Sequence, residues 1–267
     1  MLVSEFVDLE PLVSGPYVQP TGEQVNGWFF RSLIGARDPG LATELHGAAR
    51  FKPFTLWAGR RFDASPEQAE QARGALALRV TSVSPRLSTF LTEHGPARWS
   101  TLRLGDQYFK PIVRRWLPDP ATWRGRERFD ALSNRWMTGP AVRPRVRLTF
   151  VAPTAFRGEH GNTLFPHGRL VFGSLARKWN ANAPESLALD HAIVEGLIAG
   201  VRETAHHVWT VPASAFEESG FVGHCEYVVD RRAPREVAAA LRLLSDFAFY
   251  AGVGLRTGWG MGQVMAE

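Results

Sequence analysis

Phe249-Tyr-Ala-Gly-Val-Gly-Leu-Arg-Thr-Gly-Trp-Gly-Met-Gly-Gln-Val264 is the stretch on which the reading of the chain turns. Gly252, Gly254, Gly258, Gly260 and Gly262 fall within eleven residues. Ahead of them Val237, Ala240, Leu241, Leu244, Phe247 and Ala248 recur at helical spacing behind Pro234, a first-turn residue, so a helix with one buried face is expected. Behind them Gln263, Val264 and Met265 suffice for a short final strand. Glycine accepts positive φ and lets another backbone approach closely. The run is therefore either a tight packing turn or a loop whose successive amides line an anion site, with the fixed charge of Arg256 beside them. The order helix, glycines, strand is the reverse of a dinucleotide-binding turn, and no Gly-Lys-Ser/Thr of a phosphate loop follows.

Working back from that loop, a unit takes shape. Val146, Leu148 and Phe150 alternate with Arg145, Arg147 and Thr149, which predicts a strand with one buried and one basic face. Helices are expected over 170–179, with Arg177 and Lys178 at a basic end, and over 187–198; strands are expected over 207–211 and 222–229. With the closing helix and strand this gives β-α-β-β-α-β plus one extra helix, a ferredoxin-like or RNA-recognition-type layout. The first half follows the same plan less cleanly: strands over 3–9, 51–57 and 76–83, helices over 23–34 and 85–93, a short helix opened by Asp38-Pro39 and ending near His46-Gly47, two short strands around Gly105-Asp106, and an arginine-rich helix over 118–136. Gly139-Pro140 and Pro144 mark the boundary. The expectation is an α+β protein of tandem ferredoxin-like domains, 1–139 and 144–267.

With 267 residues, 45% of them hydrophobic, the chain can fill two cores. A single cysteine, Cys225, excludes an internal disulfide and fits a reducing compartment. No leader and no apolar run of membrane-spanning length is present, so a cytoplasmic protein with no membrane partner is expected. Net charge is only +5, but residues 97–180 carry 16 Lys and Arg against 5 Asp and Glu. That concentration, in a chain with 9 Trp and 17 Phe, points to a polyanion partner. No Cys-x-x-Cys, His-Glu-x-x-His or Gly-x-Ser-x-Gly occurs, and His206 and His207 should point to opposite faces of a strand; no metal and no cofactor are expected. His160 and His167 flank a loop and could reach a phosphate, but the favoured reading is exposed polar residues. His46 sits where a helix ends and a strand begins, with Lys52 six residues on.

Several of these stretches resemble one family. Gly252-Val-Gly254, five residues, then Gly260-Met-Gly262 is similar to the signature loop of the CRISPR repeat-processing endoribonucleases, the sixth numbered group of CRISPR-associated proteins, within the wider repeat-associated RNA-binding superfamily. Leu45-His46 followed by Phe51-Lys52-Pro53-Phe54-Thr55 is similar to the family's N-terminal motif. Leu148 to Arg157, the run from Leu175 to Asn180, and Gly220-Phe-Val-Gly223 with Tyr227 resemble its second half.

The resemblance implies metal-independent cleavage of CRISPR repeat RNA by 2′-hydroxyl attack, leaving a 2′,3′-cyclic phosphate and a 5′-hydroxyl and producing guide RNAs. It implies that His46 acts in cleavage and that Lys52 assists. RNA-binding candidates are Gly252, Gly254, Gly260 and Gly262 with Arg256, the Arg145/Arg147 strand face, and Arg177 and Lys178. A tyrosine that several members carry in the preceding helix has no counterpart in Trp28-Phe29-Phe30-Arg31-Ser32, which leaves the acid–base role of His46, and any part for Arg31 or Ser32, open. The alternative is a non-catalytic RNA-binding subunit of a CRISPR effector. Effector subunits and a second copy of the chain are the further partners left open.

Overall fold

In the computed structural model, residues 1–13, 18–48, 51–60, 76–113, 123–139, 143–159, 161–213 and 218–267 are described. The expectations for Pro140, His160 and the 118–122 start of a helix fall outside them. The chain divides into two compact units: Met1–Arg126 with Gly258–Gly260, and Glu127–Thr257 with Met261–Glu267. Each unit is an antiparallel sheet with helices, so the α+β, tandem ferredoxin-like fold expected from sequence is what the chain adopts.

In the first unit the elements run β1 (Leu2–Pro11), α1 (Gly22–Trp28), α2 (Pro39–Gly47), β2 (Phe54–Arg60), β3 (Leu76–Ser82), α3 (Pro85–Glu93), β4 (Leu102–Leu104), β5 (Gln107–Ile112) and β6 (Gly125–Glu127). The sheet order is β2-β3-β1-β5-β4, with β6 on β1. Taking β5 as the fourth strand, this is the 4-1-3-2 order of a ferredoxin-like sheet. Thr21 opens α1 through a reciprocal capping box with Gln24. The helix does not continue uniformly to Ile34, as its apolar spacing predicts. Phe29–Ile34 widens into a π-helical turn, closed by the bond from Gly35 N to Phe30 O. Val3, Val7, Val25, Phe29, Leu78, Val80 and Leu87 lie in one apolar core.

The other face of that sheet is also buried. Arg79, 1% exposed, donates from Nε to Ser4 Oγ and lies 4.7 Å from the ring centre of Trp123. Arg124 Nε donates to Phe6 O. A guanidinium survives burial only with its donors satisfied, and these contacts supply part of that.

In the second unit the order is α4 (Phe129–Met137), β7 (Arg145–Thr154), a small hairpin β8 (Phe156–Gly158) and β9 (Gly161–Thr163), α5 (Gly168–Asn182), α6 (His191–Gly200), β10 (Arg202–Ala213), β11 (Glu218–Val228), α7 (Arg235–Ala251) and β12 (Val264–Ala266). The sheet order β10-β11-β7-β12 repeats the ferredoxin-like pattern. Thirteen of the seventeen residues of α7 are buried, as the apolar spacing before the glycines requires. The arginine-rich stretch is not one long helix: Gly125–Glu127 is a strand, and the helix begins only at Phe129. The contacts divide the chain between Arg126 and Glu127, ahead of Gly139, so this helix packs with the second unit against α7. Among the described residues, no helix is long and apolar enough to cross a membrane.

Candidate functional site

The local sequence builds a short, well-anchored helix that ends in an exposed histidine. Asp38 accepts from Leu41 N at 2.8 Å and Pro39 occupies the first turn of α2. The bond from Leu41 N, then that from Arg86, hold the Asp38 carboxyl below its ordinary value. Arg86 of α3 also reaches Glu44 at 2.6 Å, fastening the outer side of α2. Leu41 and Leu45 face the core, so the next position, His46, is turned to solvent in the last turn. Its ring stands edge-on to Phe30, with centroids 5.6 Å apart, and Phe30 belongs to the π-helical turn. Arg31 and Ser32 of that turn are exposed.

Lys52 lies beside His46, but its ammonium is spent differently from the sequence expectation. Nζ donates to His46 O at 2.8 Å and Leu45 O at 3.1 Å. These are the carbonyls a helix end leaves unsatisfied, and a cation there also suits the helix dipole. Lys52 therefore caps the turn that carries His46. Two of its three N–H groups are used, and partial burial lowers its pKa.

Three residues of the glycine-rich stretch fold into this same unit. Asn26 Nδ2 donates to Gly258 O at 3.0 Å. A Cβ on Gly258 would stand 3.0 Å from the Phe54 ring, and any side chain on Gly22 would collide with the Trp259 carbonyl. Phe54 packs 5.8 Å from Phe30, which touches His46. Two aromatic rings thus link the histidine to Gly258.

The rest of the stretch serves the second unit as a brace. Gly252, Gly254 and Gly262 have φ of 62°, 80° and 72°, and side chains at Gly254 and Gly262 would run into the carbonyls of Ala155 and Val253. Val253 N donates to Gly262 O, Leu255 N to Ala155 O and Gly262 N to Pro153 O. The packing reading of these glycines prevails at Gly252 and Gly262, which are buried with their amides bonded to protein carbonyls. Gly254 is half-buried, and Gly260, in the first unit, keeps open space at its Cα. Arg256, at φ 51°, is exposed and forks onto Glu218 at 2.7 and 3.0 Å.

The basic candidates separate sharply. Lys178 is a correction: it is 3% exposed and donates to Ala251 O at 2.8 Å and Gly252 O at 2.9 Å, and burial pushes its ammonium down to about 7. It closes the carbonyl end of α7 from inside and cannot meet a phosphate. Its spacing carried the signal, since Lys178 continues the buried row of Val171, Ser174 and Leu175. Arg177 is exposed. Arg145 and Arg147 do project from β7 as alternation predicts, but both fork onto Glu226 of β11, and Arg147 also approaches Glu267 at 3.8 Å. Those bonds hold the Glu226 carboxyl below its ordinary value. His206 and His207 do face opposite ways: one meets Phe165, the other Trp209 and His224. His167 meets Phe165 and lies 3.9 Å from Glu203.

Residues 148–264 match the family described as CRISPR-associated endoribonuclease Cas6. A Cas6 endoribonuclease of Mycobacterium tuberculosis is 29% identical over 125 residues, 46% of this chain and 39% of that protein. The matched segment thus spans well under half of that curated relative. Solved structures align over the whole chain: a Cas6 product complex at 28% identity and TM-score 0.79, and a Cas6 substrate-mimic complex at 29% and 0.75, each covering 100% of this chain and 99% of the other. The family match lies in the second unit, and the chain shares its fold along its length with these solved Cas6 structures.

Proposed function

We propose that this protein is an endoribonuclease that cuts CRISPR repeat RNA, with His46 as the proton-transfer group and Lys52 beside it. The observation that carries the reading is an exposed imidazole, anchored by Lys52 through its own carbonyl, in a chain whose full-length fold matches Cas6 proteins solved with product and with a substrate mimic. RNA brings its own nucleophile, the 2′-hydroxyl next to the phosphate. Attack on phosphorus expels the 5′-oxygen, leaving a 2′,3′-cyclic phosphate and a 5′-hydroxyl. The protein has three tasks: to place the oxygen in line, to move a proton at the 2′- or 5′-oxygen, and to offset charge on the phosphorane. An imidazole suits the proton step, worth ~10²–10⁴-fold. The remaining N–H of Lys52 suits the charge. Placement by the bound strand contributes up to ~7–11 kcal/mol, so no metal is required for a large acceleration. Of the basic candidates, the exposed Arg145, Arg147, Arg177 and Arg256 are the ones proposed to meet RNA.

The test is single-turnover cleavage of repeat RNA in excess chelator by wild type and His46→Ala. The expected outcome is a loss of ~10²–10⁴-fold with RNA affinity kept. A 2′-deoxy substitution at the scissile nucleotide should abolish cutting and leave binding. Undiminished cleavage by His46→Ala would remove the catalytic assignment. Binding without any cleavage by wild type would make the protein an RNA-holding subunit.

A further inference from the structure

At one end of the second unit's sheet, where β7 begins and β11 ends, lies an open cleft of about 1040 Å³. Arg143, Arg145, Arg231, Arg232 and Arg235 line it, against one carboxylate, Asp230. Pairing of Val228 with Arg145 brings the two ends of this arginine set together. Two of the five are held by the protein: Arg145 by Glu226, and Arg235 by the carbonyls of Met137, Trp136 and Gly139. Arg143, Arg231 and Arg232 are exposed, and their guanidinium groups have no acidic partner among the described residues. Asp230 accepts from the backbone of Arg232, not from its side chain.

Three unneutralised guanidinium groups around one concavity make its potential positive, which favours an anion there. The volume is at the top of the ~300–1,000 Å³ range of small-molecule pockets, yet the walls are cationic where such pockets are mostly apolar. An extended polyanion fits better than a compact ligand. Arginine forks match phosphate oxygens in pairs and are desolvated at less cost than lysine. The cleft is also remote from the glycine brace within its own unit. β7 separates them, and ten residues of strand span about 30 Å.

We propose that this cleft is a phosphate-binding site for the RNA backbone, gripping the substrate strand outside the linkage that is cut. The inference rests on the endoribonuclease reading for the identity of the strand. It adds a site whose residues all lie in the second unit, whereas His46 and Lys52 lie in the first. Such a site raises affinity for RNA long enough to reach it and leaves the chemical step alone.

The experiment measures binding of repeat RNA carrying the 2′-deoxy block, across a salt series, for wild type, Arg231→Ala/Arg232→Ala and a charge-matched control, Arg98→Ala/Arg103→Ala. The cleft variant should bind about tenfold more weakly near physiological salt. Its log–log salt slope should be shallower by ~0.7 for each phosphate of a single strand that is no longer neutralised. The control should match wild type, and the saturated single-turnover rate on cleavable RNA should be the same in all three. Unchanged affinity and slope in the cleft variant overturns the proposal, as does an equal loss in the control. If the cleft variant loses affinity while no form cuts RNA, the site stands and the nuclease reading falls. If wild type binds no RNA, both fall.

Discussion

The two sheets share one strand order and treat their second faces differently. In the first unit that face is sealed: Arg79 is held against Ser4 and Trp123, and Thr55 and Thr81 share a hydrogen bond at 2.8 Å. In the second unit the corresponding face of β7, β10 and β11 presents Arg145, Arg147, His207 and Trp209, the last 51% exposed. Polar groups that are buried must be paired within the protein, which leaves nothing over for a ligand. A sealed sheet therefore leaves its loop ends for chemistry, and His46 lies at such an end in the first unit. An open one can offer it across the face and at the strand ends.

The same contrast applies between the glycines, and gives the largest expected effect. Gly262→Ala puts a methyl group into the Val253 carbonyl at a φ of 72°, so the backbone must move. A loss of ~3 kcal/mol or more is expected in urea unfolding. Gly260→Ala, at φ 95° with nothing nearer than 3.8 Å, should cost only ~1–2 kcal/mol from the backbone conformation. Equal losses would mean that the stretch is not braced where the carbonyls place it.

A smaller effect separates buried from exposed cations. The Lys178 amine has its pKa depressed from 10.5 to about 7 in the folded protein. The unfolded chain therefore binds this proton more readily. The linked stability is full above 10.5 and is lost progressively as pH falls to about 7. Stability should thus climb from pH 7 to pH 9.5 in wild type relative to Lys178→Met, measured as the difference in urea midpoints. The same comparison for the exposed Arg177→Met should be flat.

The smallest effect tests the open face. Glu226→Gln releases Arg145 and Arg147 from their shared carboxylate. RNA affinity should rise a few-fold, and the salt slope should steepen by ~0.7 for each phosphate newly neutralised. No change would show that these arginines stay committed to the sheet.

Much of this architecture was legible because its causes are local. Asp38-Pro39 fixes where α2 starts, and the apolar spacing of Leu41 and Leu45 fixes that His46 faces water. Strict alternation in 145–150 gives β7 its two faces. What was not legible depends on partners far away in sequence. Glu226 reads as one acid in a mostly apolar strand until register sets it opposite Arg147. Arg143 and Arg231 become neighbours only through the same pairing. The arginines over 118–136 suggested one basic helix, but Arg124 turns inward to Phe6 O and the exposed Arg126 pairs with buried Glu5, which no composition count distinguishes from solvated charge.

The path of the chain also bears on its birth. Asn26 and Phe54 find their cover in Gly258, more than two hundred residues later in translation. Domains generally fold as units while still emerging from the ribosome. Here the earlier unit waits: its side chains stand without their last neighbours until residues 258–260 have been made. Maturation of the histidine's surroundings is thereby tied to the synthesis of residues 258–260, so a nascent chain released before them would lack a finished first unit.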